Sequence, residues 1–196
     1  MEIVIASPTG GAFAKVNPEG QLVVQAIDVP PIHYASERGQ AYGCSAQKQM
    51  TQSTLTVTTT AGYVLVIQNM SATPITIHRI TGGVDGITQM AIVKNPTIGT
   101  LGNYLVETPN NLNFDVKTPA DANVYSWDEA GTGITGISGG TIIALIDFAA
   151  AGPIAMTFDD EFILGRGSIM ALRFQGIGAA REVGIASVFY HHPSVT

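Results

Sequence analysis

Apolar residues in this chain recur at a period of two, in short runs cut by Gly, Pro, Asn and Ser. A helical period of 3.6 is nowhere sustained beyond about three turns. Alternation of this kind puts successive side chains on opposite faces of a pleated strand, so the chain is confined to β-structure with a turn at each interruption. Residues 54–58 form a first β-branched run. In 63–68, Tyr63, Leu65 and Ile67 fall on one face and Val64 and Val66 on the other, so both faces are expected to be buried. Residues 69–74 read as a tight turn, after which Ile75 and Ile77 alternate with Thr76 and His78 on a strand that returns as a hairpin. Gly82, Gly83 and Gly86 are expected to break the chain before an apolar strand over 87–93. Further strands are predicted over 141–148, 154–158, 161–164, 168–174 and 182–190. Within 142–148, Ala144 and Leu145 permit a helix, but Ile142, Ile143 and Ile146 are β-branched and glycines bracket the run, which favours a strand.

The class that follows is all-β: an antiparallel β-sandwich, jelly-roll-like, since strands of this length and spacing suit two packed sheets. No internal repeat of fixed period points to a propeller or solenoid. Between residues 95 and 140 the texture turns to Asn, Pro, Thr, Asp and Gly, marking a long loop-rich insertion. A structureless excursion of that length is unusual inside a compact domain, so short strands are expected near Tyr104 and over 124–127. Tyr104, Tyr125 and Trp127 are candidate surface recognition residues; the alternative for these aromatics is a local core beneath the loops.

Residues 1–31 read as an extended N-terminal arm and 32–196 as the sandwich domain. Turn signals at 7–11 and 17–20 separate sparse apolar residues, Phe13, Val16, Leu22, Val24 and Ile27. Pro30 and Pro31 donate no ladder hydrogen bonds and hold their neighbours extended, which makes a hinge.

Only 12% of the 196 residues are charged, about half the usual share, against 45% hydrophobic. Thr, Ser, Asn, Gln and Gly must therefore keep the surface in water, and a surface with few ions to desolvate packs readily against other protein. The net charge of −6 is concentrated in residues 99–196, with ten acids against four bases. No ten-residue window holds three bases, so nucleic acid is excluded as a partner. No stretch approaches the roughly 20 apolar residues of a membrane helix, and the N-terminus lacks the features of a signal peptide, so synthesis in the cytoplasm is expected. A lone Cys44 can form neither an internal disulfide nor a cysteine zinc site, and reads as a small buried hydrophobe.

No cofactor, metal or catalytic set emerges. The segment GTGITG at 131–136 matches the bare dinucleotide pattern, but a strand, not a helix, is predicted after it. His191 and His192 point to opposite faces of a strand and read as terminal surface imidazoles, unable to chelate one metal. Asp159, Asp160 and Glu161 read as a solvated turn between two strands, without the spacing of a calcium loop. The sequon at Asn69 reads as a hairpin turn. A paired-carboxylate glycosidase site is not detectable from sequence, and a single Trp argues against one.

Three segments carry a resemblance: GAFAKVNPEGQLVVQAI at 11–27, IHYASERGQAY at 32–42, and YVLVIQNMSATPITIHRIT at 63–81. Together they resemble a family of tailed-bacteriophage virion structural proteins of the capsid-decoration, cement-like kind. The third is the most specific, with Val64, Leu65, Ile67, Asn69, Ser71 and Ile77 in place. The resemblance implies a non-enzymatic protein that decorates and stabilises a capsid. Its partners would be the major capsid protein and copies of itself, as a homotrimer at threefold sites. Phe13, Val16, Leu22, Val24 and Ile27 of the arm would make the capsid or subunit contacts as an added strand. The alternatives are a tail- or vertex-associated jelly roll that binds receptor glycans, and a β-rich carbohydrate-active enzyme.

Overall fold

A computed structural model describes residues 5–6, 13–16, 22–25, 31–46, 55–116 and 118–191. In chain order the elements are β1 Ile5–Ala6, β2 Phe13–Val16, β3 Leu22–Gln25, α1 Pro31–Glu37, β4 Ala41–Ala46, β5 Leu55–Val57, β6 Gly62–Asn69, β7 Ile75–Val84 and β8 Thr88–Lys94. They continue as β9 Thr97–Gly102, β10 Tyr104–Glu107, β11 Asn110–Asn111, β12 Ala122–Trp127, β13 Thr135–Ser138, β14 Thr141–Phe148, β15 Gly152–Leu164, β16 Ile169–Gly176 and β17 Arg181–His191. All strand pairing is antiparallel. The chain divides into two units, residues 1–34 and 35–196.

In the first unit, β1, β2 and β3 pair in order into a small sheet, with Val16 opposite Leu22 and Val24 opposite Ala14. The segment expected to be an extended arm thus carries a meander, with the turn signals lying between its strands. Pro31 opens α1, the single helix among the described residues and one that alternation could not reveal; proline's missing N–H and fixed φ suit the first helical position.

The second unit is a β-sandwich. Eight strands, β4, β6, β7, β8, β14, β15, β16 and β17, fall into two sheets ordered β4-β17-β7-β15 and β6-β16-β8-β14. Numbered one to eight, they run 1-8-3-6 and 2-7-4-5, the wiring of a jelly roll. Strand β5 pairs β17 beyond the reach of β4, and β11 adds to the outer side of β4. Inward residues of both sheets, including Leu65, Ile67, Ile77, Ile92, Leu172, Phe174 and Phe189, are fully buried. Each such side chain contributes about 1.5–3 kcal/mol of burial.

Three expectations are corrected. Strands β6 and β7 do not form a hairpin, because they belong to different sheets and residues 70–74 cross the gap between them. The crossing is held by Asn69, which is fully buried: Nδ2 donates to the Thr73 carbonyl at 3.0 Å and the Leu164 carbonyl at 2.9 Å, and Oδ1 accepts from Ser71 N–H at 2.8 Å. Gly82 and Gly83 do not break a strand but lie inside β7, where a Cβ on Gly82 would overlap the Gly184 carbonyl of β17. The predicted turn at 159–161 lies within one strand, β15, whose pairing with β7 shifts register between Thr157 and Phe162.

The insertion is not structureless. Strands β10 and β12 form where short strands are expected and extend the second sheet outward from β6, giving the order β10-β12-β6-β16-β8-β14. Strands β9 and β13 pair as a separate ribbon, and Ile98, Leu101 and Ile137 on it pack against the core. Ile134 N–H donates to the Tyr63 carbonyl at 2.9 Å, and a Cβ on Gly62 would overlap the Thr132 carbonyl, so the insertion lies directly on β6. This covering explains why Val64 and Val66 are as fully buried as Leu65 and Ile67.

Candidate functional site

The proposed contact residues of the arm fall on the first unit: Phe13 and Val16 on β2, Leu22 and Val24 on β3. Ile27 lies outside the described residues. Of the candidate recognition aromatics, Trp127 is only 3% exposed and its Nε1 donates to the Ala130 carbonyl at 2.8 Å, so it belongs to the core and offers no platform. Tyr104 and Tyr125 are half-buried, stacked edge to face at 5.4 Å on β10 and β12, and pack against the same core.

The second unit leaves large apolar residues exposed in turns and loops, Phe114 most of all at 97%, and also along its sheet edges. Strand β14 ends the six-stranded sheet and exposes Ile142, Ile143 and Leu145, the last at 53%. Beside it, β15 ends the other sheet and exposes Ile163; Ile143 and Ile163 line a shared cleft of about 180 Å³ with Phe162 and Met170. Strand β14 carries one charged residue, Asp147, held by Gln89 Nε2 at 2.8 Å. At the opposite end of the same sheet, β10 exposes Leu105 and Val106, while its Glu107 is bonded by the Ser126 hydroxyl. Edge strands on solitary proteins are usually blunted by lysine, proline or a covering loop, and neither β10 nor β14 contains lysine or proline.

A second feature lies at one end of the sandwich interior. Inward positions of β17 alternate Val183, Ile185, Ser187, Phe189 and His191, so the strand's last inward residue is an imidazole. His191 is not a surface residue: it is 7% exposed and meets the Tyr42 ring edge to face at 5.7 Å. Alternation places it on a strand but does not say that its side is the buried one. Neither ring nitrogen makes a hydrogen bond of proper geometry. Burial pushes its pKa down, opposed by the Asp121 carboxylate and the Thr73 backbone, so the ring is neutral at pH 7. Nearby, Gln40 Oε1 is also buried without a partner. Unsatisfied buried groups each cost about 1–3 kcal/mol. Both residues border a polar pocket of about 350 Å³ that Tyr42, Thr73, Asp121 and Arg38 also line, but their unpartnered atoms are closed off from it. Burial raises the pKa of the Tyr42 hydroxyl, opposed by Asn111, and the hydroxyl donates to the Gly39 carbonyl at 3.2 Å.

No group of three or more His, Cys, Asp or Glu is positioned to hold a metal among the described residues. The glycines of 131–136 lead into β13, and no helix follows to receive a pyrophosphate. Asn69 is sealed in its crossing, so its sequon offers no acceptor on the folded chain. Cys44 is buried on β4, and burial, the Glu107 carboxylate adding to it, pushes its thiol up to about 12. Native protein is therefore expected to ignore a thiol-specific disulfide reagent at pH 8 and to react once unfolded in urea. Because the folded-state value is raised, Cys44 contributes its full share of stability below the ordinary thiol range and loses it as pH climbs from there toward 12. A fast native-state reaction would contradict this burial.

The fold and these surfaces define a jelly-roll β-sandwich with open apolar edges and a polar end pocket. Compared with protein-family models, curated proteins and solved structures, the chain matches none.

Proposed function

We propose that the chain is a non-enzymatic virion structural protein that decorates and stabilises a bacteriophage capsid by binding its outer surface as a homotrimer. The observation that carries this reading is the pair of apolar and nearly uncharged edges on one sheet, β10 and β14, whose outer sides no other described strand pairs. Opposite edges of a sheet are different surfaces, so β10 of one copy meeting β14 of the next is a head-to-tail contact, the kind that closes into a ring. A three-membered ring suits the threefold positions of an icosahedral shell. The N-terminal unit supports the same reading, since three strands of two to four residues make a sheet too small to stand by itself and gain from lying on another surface. The resemblance over 11–81 points the same way.

The test uses purified virions and shells assembled from their major capsid protein. The chain is expected in hundreds of copies per particle and raises the temperature at which shells open, because a ligand of the assembled state stabilises it by mass action. A chain lacking residues 1–30 is expected to keep its β-sheet circular dichroism and lose shell binding. Ile143→Lys with Leu145→Lys is expected to keep the fold, lose the trimer on light scattering, and weaken shell binding about tenfold or more. A handful of copies per particle, or shells indifferent to the protein, overturns the reading.

A further inference from the structure

We infer that Phe114 of one copy seats in the cleft between β14 and β15 of the next, held there by burial of its ring and by Asp115 meeting Lys94. This contact rests on the head-to-tail association proposed for the chain and names the side chains that carry it, whatever surface the assembly then binds. Phe114 follows β11 in the chain, so it stands on the flank where β10 and β11 end the two sheets. The cleft is on the opposite flank, where β14 and β15 end them. Opposite flanks do not both meet the same neighbour, so the contact passes from copy to copy.

The loop gives its phenylalanine almost nothing to touch, at 97% exposure. Around that ring the backbone is fixed. Leu112 N–H donates to the Ala41 carbonyl at 2.9 Å, Asn111 Nδ2 to the Gly39 carbonyl at 2.8 Å, and Asp115 N–H to Asn113 Oδ1 at 3.0 Å. A tethered loop loses little further freedom on binding, so most of the gain from burying its ring is kept. The cleft is equally preformed: Asn95 N–H donates to the Ile169 carbonyl at 2.8 Å, and Ile169 N–H to Asn95 Oδ1 at 2.9 Å. Exposed Ile143 and Ile163 and half-buried Phe162 form its walls, with Leu164 and Ile169 beneath. Its volume of about 180 Å³ is close to that of an apolar cavity of about 150 Å³ that takes up benzene, so one phenyl ring suits it. Charge selects the occupant. Lys94 lines the cleft and is itself exposed, and Asp115, also exposed, directly follows Phe114. An aromatic ring beside an acid matches an apolar cleft beside a base, and this chain carries both halves, so the occupant is a second copy.

The experiment mixes two variants of the full chain and reads mass by analytical ultracentrifugation. Phe114→Ser removes the ring and keeps the cleft, while Ile163→Arg blocks the cleft and keeps the ring. Both positions are more than half exposed, so each variant is expected to melt close to the parent. The parent is expected to be trimeric and each variant alone monomeric, its association weakened about a hundredfold. An equal mixture is expected to form dimers, because one intact ring and one intact cleft remain between the two. A charge exchange tests the pairing without touching the apolar groups. Asp115→Lys is expected to weaken assembly about threefold, and Lys94→Glu in the same chain to restore it. Trimers that persist in both variants overturn this contact and leave the ring to β10 and β14 alone. A mixture no heavier than its components, with nothing restored by the charge exchange, overturns it too. A parent that assembles as expected but leaves shells unaffected overturns the capsid reading and not this contact. A parent monomeric at millimolar concentration overturns the contact and the ring together.

Discussion

Replacing Gly82 with valine is expected to destabilise the sandwich by about 3–5 kcal/mol, measured as a fall in the urea midpoint at unchanged slope. Gly82 lies in β7, paired to Ile185 of β17 and to Ile154 of β15, in the middle of a sheet and not at its rim. Any Cβ there overlaps the Gly184 carbonyl oxygen, which is main chain and cannot swing away as a side chain would. The two strands must part, and every ladder bond near that point weakens together. The neighbouring glycine is the control. A Cβ on Gly83 would meet nothing nearer than the Gly152 carbonyl at 3.6 Å, an ordinary contact, so Gly83→Ala is expected to change stability by less than about 1 kcal/mol. Equal losses at both positions would show that close approach of backbone is not the cause. With whole domains stable by only about 5–15 kcal/mol, the Gly82 variant is expected to populate unfolded chain at physiological temperature.

Asn69→Asp is expected to cost a comparable amount, about 3–5 kcal/mol at pH 7. The amide donates to two carbonyls, one in the 70–74 crossing and one at the end of β15, so it ties together both sheets. A carboxylate of the same shape keeps the acceptor for Ser71 N–H but turns both donated bonds into oxygen facing oxygen, in a site with no solvent. The introduced acid would have its folded-state pKa raised by burial and by the two carbonyls. A raised value means the variant comes closest to the parent below the ordinary carboxylate range, about pH 4, and loses stability as pH rises through the folded-state value. Comparing the two proteins at each pH isolates that effect from the general acid response. A variant as stable as the parent at pH 7 would mean that the crossing does not depend on this amide.

Strand existence is legible because alternation is a local property, and β6, β8, β12 and β14 lie where it places them. The partners of those strands are not. A turn of six residues can return a strand to its own sheet or carry it across to the facing one, and period-two alternation is the same in both cases. Only the burial of both faces in 63–68 hints that β6 is covered from two sides, and the cover is the insertion and not a hairpin partner. Glycines at 82 and 83 read as breaks, since sequence cannot distinguish a turn glycine from one that lets two backbones approach. The pocket is the least visible part. Its members come from α1's exit, β4, the 70–74 crossing, the loop before β12 and the end of β17, five places that only the jelly-roll wiring brings together. Alternation puts His191 on the same side of β17 as Phe189 and Ile185, and only the structure shows that side to be the buried one.

The position of β17 reaches back to how the molecule is made. It lies between β4 and β7, with β5 alongside, yet it is the last of the described strands to leave the ribosome. Until it arrives, β4 and β7 have no shared neighbour and that half of the core stands open, so the sheet closes in a late step that joins residues more than a hundred positions apart. Nascent chains halted just short of 181 are thus expected to remain sensitive to protease and to occupy chaperones.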